Sequence, residues 1–337
     1  MKNIVPTVKK ITSDRINIII FLFSVCCLLS RVNSHLFFID ILGHLSFHIL
    51  IGGILLFVIL LALKKLWASI ICMLISVLLA IDILSSCNQC NALIEDKSQN
   101  YNKIRLMTYN TGLSEDFENI RKLILFEKPD VILFQEVSSQ MHDKIKSLKS
   151  FFPYNAGLYE PLEHFSSVIL SKYPLKNNKM TKKHVVLTNL IFEETELTII
   201  GIHLYAPLNA VLTKVIYEVF YKNLAKPPAD PNQFNLAIKQ MEHLKTLIGN
   251  TNQNLILMGD LNMTATSKRF INFLKETNLH TYISYKHPTS TWPTNLPSLL
   301  GLQIDHVLFS KNFKVIEKKT TNHFGSDHRP LIVDLVF

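Results

Sequence analysis

The chain has 337 residues, with 35 Lys+Arg against 26 Asp+Glu and a formal net charge of +9. That length holds one large domain plus extras, and the basic balance suits an anionic partner: nucleic acid, phospholipid headgroups or a phosphorylated small molecule. All five cysteines precede Tyr101, and the Cys87-x-x-Cys90 spacing, with no second pair or nearby His, argues against zinc and for a local disulfide or no role.

The composition is split. Residues 16–84 are dominated by Ile, Leu, Val and Phe, whereas the chain from 91 onward has ordinary globular content. Three apolar segments, 16–30, 48–63 and 66–84, predict three transmembrane helices. The third comes closest to the roughly 20 residues a span needs; the first is short, and the stretch 37–45 after it suits the membrane interface. Lys2, Lys9, Lys10 and Arg15 precede the first segment and Lys64–Lys65 link the second to the third, so the positive-inside rule places both clusters in the cytoplasm. Three spans then carry everything after Leu84 across the membrane. A cleaved signal peptide is disfavoured, because no small-residue pattern follows Ser30 and two more apolar runs come after it. Leu84-Ser85-Ser86-Cys87 resembles a lipoprotein cleavage box, but it lies far from the N-terminus and Asp82 interrupts the run. The expected organisation is an anchor over 1–86, a polar tether over 87–101 and a globular domain over 102–337.

From Tyr101 to the end there are 27 basic and 21 acidic residues, a net +6. A strand over 104–109 runs out at Asn110. A helical period at Phe117, Ile120, Leu123 and Ile124 leads through Lys128-Pro129 into a strand over 131–135, which Glu136 follows. A strand over 197–202 precedes His203. Candidate helices lie at 212–224, ended before Pro227-Pro228, and at 234–248, ended by Gly249-Asn250. Asp260 and Asn262 follow a strand at 255–259, Asp305 heads 307–310, and Asp327-His328 stand before 331–337. Polar groups placed repeatedly at strand ends converge on one rim of a sheet. Four carboxylates, two carboxamides and two imidazoles suit a hard divalent cation and a phosphate ester. No internal repeat is visible, and strands separated by loops as well as helices suggest a mixed sheet sandwich flanked by helices.

Met107-Thr-Tyr-Asn110, Pro129-Asp-Val-Ile-Leu-Phe-Gln-Glu136, Ile169-Leu-Ser-Lys-Tyr-Pro174, Gly201-Ile-His203-Leu, Gly259-Asp-Leu-Asn262, Gln303-Ile-Asp305-His-Val and Ser326-Asp-His-Arg-Pro330 resemble, in order, the motifs of the endonuclease/exonuclease/phosphatase superfamily. The resemblance implies a DNase-I-like α+β fold, a four-layer α/β/β/α sandwich. With the N-terminal segments, it points to a bacterial membrane-anchored member, multi-pass in the inner (cytoplasmic) membrane with its domain periplasmic.

The resemblance assigns roles. Glu136 matches the principal Mg²⁺ ligand, with Mn²⁺ a possible substitute, and Asp327 a second acidic position at the metal. Asn110 supports the phosphate and metal shell. Asp260 handles the attacking water, and Asn262 a phosphate oxygen. His328 matches the base and Asp305 its orienting carboxylate. His203 stabilises the phosphate or protonates the leaving group, which disfavours an abasic-site reading despite nearby Tyr205. Many members carry an amide or acid where this chain has Gly112, so a sparser metal shell is expected. His306 should face the other way along its strand and be structural. His184, His243, His280, His287 and His323 show no metal-ligand spacing. Trp292-Pro293 either lines the cleft or packs the core, the 179–183 lysines form a solvated face, and 205–235 covers the cleft or touches lipid.

The expected function is a membrane-anchored, Mg²⁺-dependent phosphodiesterase of nuclease type. The alternative is a lipid or headgroup phosphodiesterase or phosphatase, sphingomyelinase-like or phosphoinositide-phosphatase-like. A catalytically inactive membrane sensor is a third class, opposed by the intact acid and histidine set. Expected partners are the phosphate-ester substrate and the lipid bilayer; no protein partner is inferable.

Overall fold

The computed structural model describes residues 4–34, 36–92, 102–157, 167–181, 185–206, 233–251, 254–284 and 289–337. The candidate helix at 212–224, most of the covering segment 205–235, most of the tether, His184, His287 and two of the 179–183 lysines lie outside them. Contacts divide the chain into two units, Met1–Asn88 with Ala265–Asn272, and Gln89–Thr264 with Phe273–Phe337.

The first unit contains helices α1 (Ile4–Leu29), α2 (Phe37–His44), α3 (Ser46–Ala62) and α4 (Leu66–Ser85). Among the described residues only α4 is by itself long and apolar enough to span a membrane; α2 and α3, bent by 73° at their junction, pass together as a second candidate. The apolar segment 16–30 is the second half of α1, whose first half carries Lys9, Lys10, Asp14 and Arg15. The finding therefore covers one or two candidate spans, where three were expected. Gly53 allows close packing, because a Cβ there would run into Phe23 and Ser76. Residues 265–272 join this unit through charge. The Arg269 guanidinium lies 3.0 Å from Asp40, which is also 3.2 Å from His44, and Lys268 lies 3.3 Å from Asp82, which Arg31 also binds.

The second unit holds two sheets. The first contains β1 (Lys103–Asn110), β2 (Val131–Gln135), β3 (Tyr154–Ala156), β4 (Ser167–Ser171), β10 (Lys314–Thr320) and β11 (Leu331–Val336), in the order β10-β11-β1-β2-β4-β3. The second contains β5 (Leu175–Met180), β6 (Val186–Phe192), β7 (Thr195–His203), β8 (Leu255–Asp260) and β9 (Asp305–Phe309), in sequence order. Each sheet has one parallel pair, β1 with β2 and β7 with β8. Parallel pairing requires a crossover, supplied for β1–β2 by α5 (Phe117–Glu127). Asp116 caps α5 at its start, and Lys128, left-handed at φ 51°, ends it before Pro129.

Period-2 alternation places the core and, with it, the site. Ile104 and Leu106 of β1, Val131 and Leu133 of β2, Leu197 and Ile199 of β7, Ile256 and Met258 of β8, and Val307 and Phe309 of β9 share one buried cluster between the sheets. The intervening Met107, Tyr109, Ile132 and Phe134 pack instead with Phe117, Ile120 and Ile124 of α5 and Met141 and Ile145 of α6 (Ser139–Lys146). Continuing the inward series by two residues reaches Asp260 and Asp305, and by four reaches Asn110 and His203. The alternation that fills the core thus ends in polar side chains at the rim.

The Gln89–Ala92 stretch, expected within a tether, is ordered: Thr281 N–H donates to Gln89 O, Ile283 N–H to Cys90 O, and Asn91 bridges Tyr282. Cys87 and Cys90 are disulfide-bonded.

Candidate active site

Strand register brings the rim residues together. In the pairing of β7, β8 and β9, His203 is level with Asp260 and Asp260 with Asp305. Gly259, at φ 142°, permits this close pairing, because a Cβ there would strike the Ile202 carbonyl. From the facing sheet, Asn110 Nδ2 donates to Glu136 Oε1 and Asp260 Oδ2, both at 3.1 Å, tying the two sheets at the site. His203 Nε2 lies 3.6 Å from Glu136 Oε1 and 3.7 Å from Asp260 Oδ2. His328 Nδ1 sits 2.9 Å from Asp305 Oδ2, and its Nε2 is 3.7 Å from Asp260 Oδ2. Six of the expected residues, Asn110, Glu136, His203, Asp260, Asp305 and His328, therefore form one continuous group.

Asp327 and Asn262 join at the edge. A Cβ on Gly112 would come within 2.9 Å of Asp327 Oδ1, so the glycine makes room for this carboxylate. Ser326 Oγ donates to Asn110 O and accepts from His328 N–H, locking the turn that carries Asp327 against β1. Asn262 N–H donates to Asp260 Oδ1, while its carboxamide nitrogen donates to Leu204 O. Glu136 at φ 49° and Asn262 at φ 50° both adopt the left-handed conformation. Asn tolerates it; for Glu136 it is local strain, of the kind that collects at functional sites.

The electrostatics follow from crowding acids in a buried place. Burial, with repulsion from Asp305, pushes the Asp260 carboxyl up to about 8 against the stabilising pull of His328, Asn262 and Asn110. Burial would lower the His328 imidazole, but Asp305 and Asp260 outweigh it and raise it to about 10. His306 is structural, as its opposite-face position implies: its Nε2 lies 2.7 Å from Met263 O, and burial holds it down at about 3.

The donor set fits a hard divalent cation. Every candidate ligand except the histidines is oxygen, the acids repel one another, and the buried Asp305 Oδ1 has no hydrogen-bond partner among the described residues. Asp260, Asp305 and His328 offer ligand atoms all within 4.8 Å of one another. That trio differs from the expected metal set of Glu136, Asp327 and Asn110 and overlaps the expected base pair, so the acidic pocket extends across both.

Residues less visible in the sequence complete the frame. Trp292 Nε1 donates to Asp327 Oδ2 at 3.1 Å. Thr291 Oγ1 accepts from the Ile304 and Asp305 N–H groups. Gln240 of α7 (Gln233–Gly249) donates to His203 O and accepts from Tyr205 N–H. Of these, the sequence singles out only Trp292, within Trp292-Pro293.

A family model for the Endonuclease/Exonuclease/phosphatase family matches residues 107–328. The chain belongs to that family, whose members are hydrolases of phosphate esters and depend on divalent metals. Among solved structures, a humanized D. rerio TDP2 carrying 14 mutations aligns with a TM-score of 0.52 at 13% identity, covering 70% of this chain and 100% of that one. Sphingomyelinase C from Streptomyces griseocarneus aligns at 0.46 and 15%, covering 69% and 99%. An endonuclease/exonuclease/phosphatase from Beutenbergia cavernae DSM 12333 aligns at 0.48 and 15%, covering 70% and 72%. At such identities the likeness concerns the fold. No curated protein matches the sequence.

Proposed function

We propose that this protein is a membrane-anchored, Mg²⁺-dependent phosphodiesterase of nuclease type. The observation that carries the reading is the single group of Asn110, Glu136, His203, Asp260, Asp305 and His328 at the ends of strands from both sheets. Glu136, Asp327 and Asn110 would hold the cation, which supplies charge neutralisation at the phosphate and the leaving oxygen. His328, with Nδ1 engaged by Asp305, presents Nε2 as the proton acceptor for water, and Asp260 orients that water. Asn110, Asn262 and His203 contact the non-bridging oxygens, with proton donation to the leaving oxygen as the alternative role of His203.

Anchoring is supported by the outward apolar side chains of α3 and α4. Trp67, Leu78, Leu84 and Leu55 are all more than half exposed, a surface suited to lipid. With the basic clusters at 2–15 and 64–65, this favours a bacterial inner membrane and a periplasmic domain. The same apolar surface favours the second reading, a lipid or headgroup phosphodiesterase working at the bilayer.

The test is turnover by the full chain in detergent on plasmid DNA, sphingomyelin vesicles and phosphoinositide vesicles, each with Mg²⁺ or EDTA. Mg²⁺-dependent nicking of plasmid is expected. Turnover of a lipid alone would select the second reading, and no turnover of any substrate would leave the inactive sensor.

A further inference from the structure

We infer that Trp292 is a positioning residue that sets the Asp327 carboxylate for its cation. The inference rests on the metal-dependent reading of the site and adds to it a residue and a means.

The indole N–H donates to Asp327 Oδ2 at 3.1 Å, and Gly112 lies against the other oxygen, Oδ1. One carboxylate oxygen is thus held by a rigid two-torsion side chain, while the other faces the β1 turn beside Asn110. The loop bearing Trp292 is itself fixed from several sides. Trp292 N–H donates to Leu302 O at 2.9 Å, and the Leu302 N–H donates back to Trp292 O. Thr294 N–H donates to Asp327 O, and Thr294 Oγ1 to Ser326 O. Arg329, next to His328 in the chain, directs its guanidinium onto the carbonyls of Pro293, Thr294 and Leu296 and the hydroxyl of Ser290. Its own N–H donates to Thr291 O at 2.7 Å, and the Thr291 hydroxyl receives the Asp305 N–H.

One loop therefore reaches Asp305 through Thr291, Asp327 through Trp292 and Thr294, and the residue after His328 through Arg329. The anchor on Asp327 is a neutral donor. It fixes the carboxylate's direction without cancelling its charge, as an Arg or Lys there would.

The experiment uses the full chain with Mn²⁺ as probe. Trp292→Phe keeps the ring and removes the donor. Removing an outer-shell hydrogen-bond partner of a metal ligand typically weakens metal binding by roughly ten- to a hundredfold. Mn²⁺ binding by calorimetry should weaken by about that factor, while the metal-free chain still unfolds cooperatively. The kcat at limiting Mn²⁺ should fall and recover at saturating Mn²⁺, with KM for a soluble phosphodiester unchanged. Unaltered Mn²⁺ affinity in a folded Trp292→Phe chain overturns the inference alone. A wild-type chain that binds no Mn²⁺ overturns the metal-dependent reading, and the inference with it.

A second measurement keeps Trp292 in place. The chain has two tryptophans, Trp67 and Trp292, so Trp67→Phe leaves Trp292 as the sole indole emitter. Its emission should change along the same Mn²⁺ isotherm that calorimetry records. Constant emission through that isotherm overturns the inference.

Discussion

His328 Nδ1 lies 2.9 Å from Asp305 Oδ2 while its Nε2 faces Asp260 Oδ2 at 3.7 Å, so one buried imidazole stands between two carboxylates. The contact to Asp305 fixes ring orientation and tautomer, and the wider gap to Asp260 lies on the side from which the proposed mechanism takes water. If Asp305 acts through His328, removing either should disable the same step. His328→Ala and Asp305→Asn should each lose roughly 10²–10⁴ in kcat, and the double variant little more. Strictly multiplicative losses would separate the two roles.

The same arrangement predicts a pH limb. A base must be neutral to act, and the two carboxylates raise His328 to about 10 against the opposing effect of burial. Bound divalent charge works the other way. Activity should therefore rise with pH through a single limb, and that limb should move to lower pH as Mg²⁺ goes from limiting to saturating. Rate profiles at two Mg²⁺ concentrations measure this. A profile flat from mildly acid to neutral pH would mean that another group activates the water.

Much of this site was legible because inward alternation on β1, β7, β8 and β9 ends in polar residues that a linear reading also meets at run ends. Asn110, His203, Asp260 and Asp305 could be placed in that way. The Gly112–Asp327 approach and the Trp292–Asp327 bond could not, since each joins loops remote in sequence with no periodicity to link them. β5 was invisible for a related reason: its Lys-Asn-Asn-Lys centre is exposed and has no apolar alternation to read. At the N-terminus hydropathy located the apolar runs but missed the bend between α2 and α3 and the extension of α1 through charged residues 9–15.

Asp260 should be retained at a cost in stability. Its folded value is raised from 3.8 to about 8, so the folded chain holds this proton more tightly than the unfolded chain. The associated stability is fully present below about 3.8 and is lost as pH rises through about 8. Asp260→Asn cannot lose it. The variant should be inactive yet melt above wild type at pH 8 without divalent cations, with the gap narrowing toward pH 4. Thermal melts at the two pH values in EDTA check this, and a gap that widens on acidification would contradict the burial-and-repulsion account.

Glu136 sits half-buried in a left-handed conformation beside Asn110 and His203, which suits a ligand better than a structural anchor. Glu136→Gln should lower turnover by orders of magnitude and remove the stabilisation that Mg²⁺ gives wild type in a melt, while cooperative unfolding persists. Undiminished turnover of the variant, or of wild type in excess EDTA, would displace Glu136 from the metal.

The topology can be tested from two independent features. Basic residues at 2–15 and at 64–65 flank apolar segments, and the positive-inside rule would put both in the cytoplasm, which would leave the chain after α4 outside. The Cys87–Cys90 pair, immediately after α4, is disulfide-bonded, whereas Cys26, Cys27 and Cys72 within the helices are free thiols. Disulfides persist in oxidising compartments, so the bond agrees with the charge argument at the position where the chain would emerge. Alkaline phosphatase fused after Leu113 should therefore be active, and a reporter that works only in the cytoplasm should be silent at the same junction. In whole cells a membrane-impermeant thiol reagent should label Cys87 and Cys90 only after reduction. The reverse reporter pattern, or labelling only after lysis, would put the domain in the cytosol and direct the substrate search to intracellular phosphate esters.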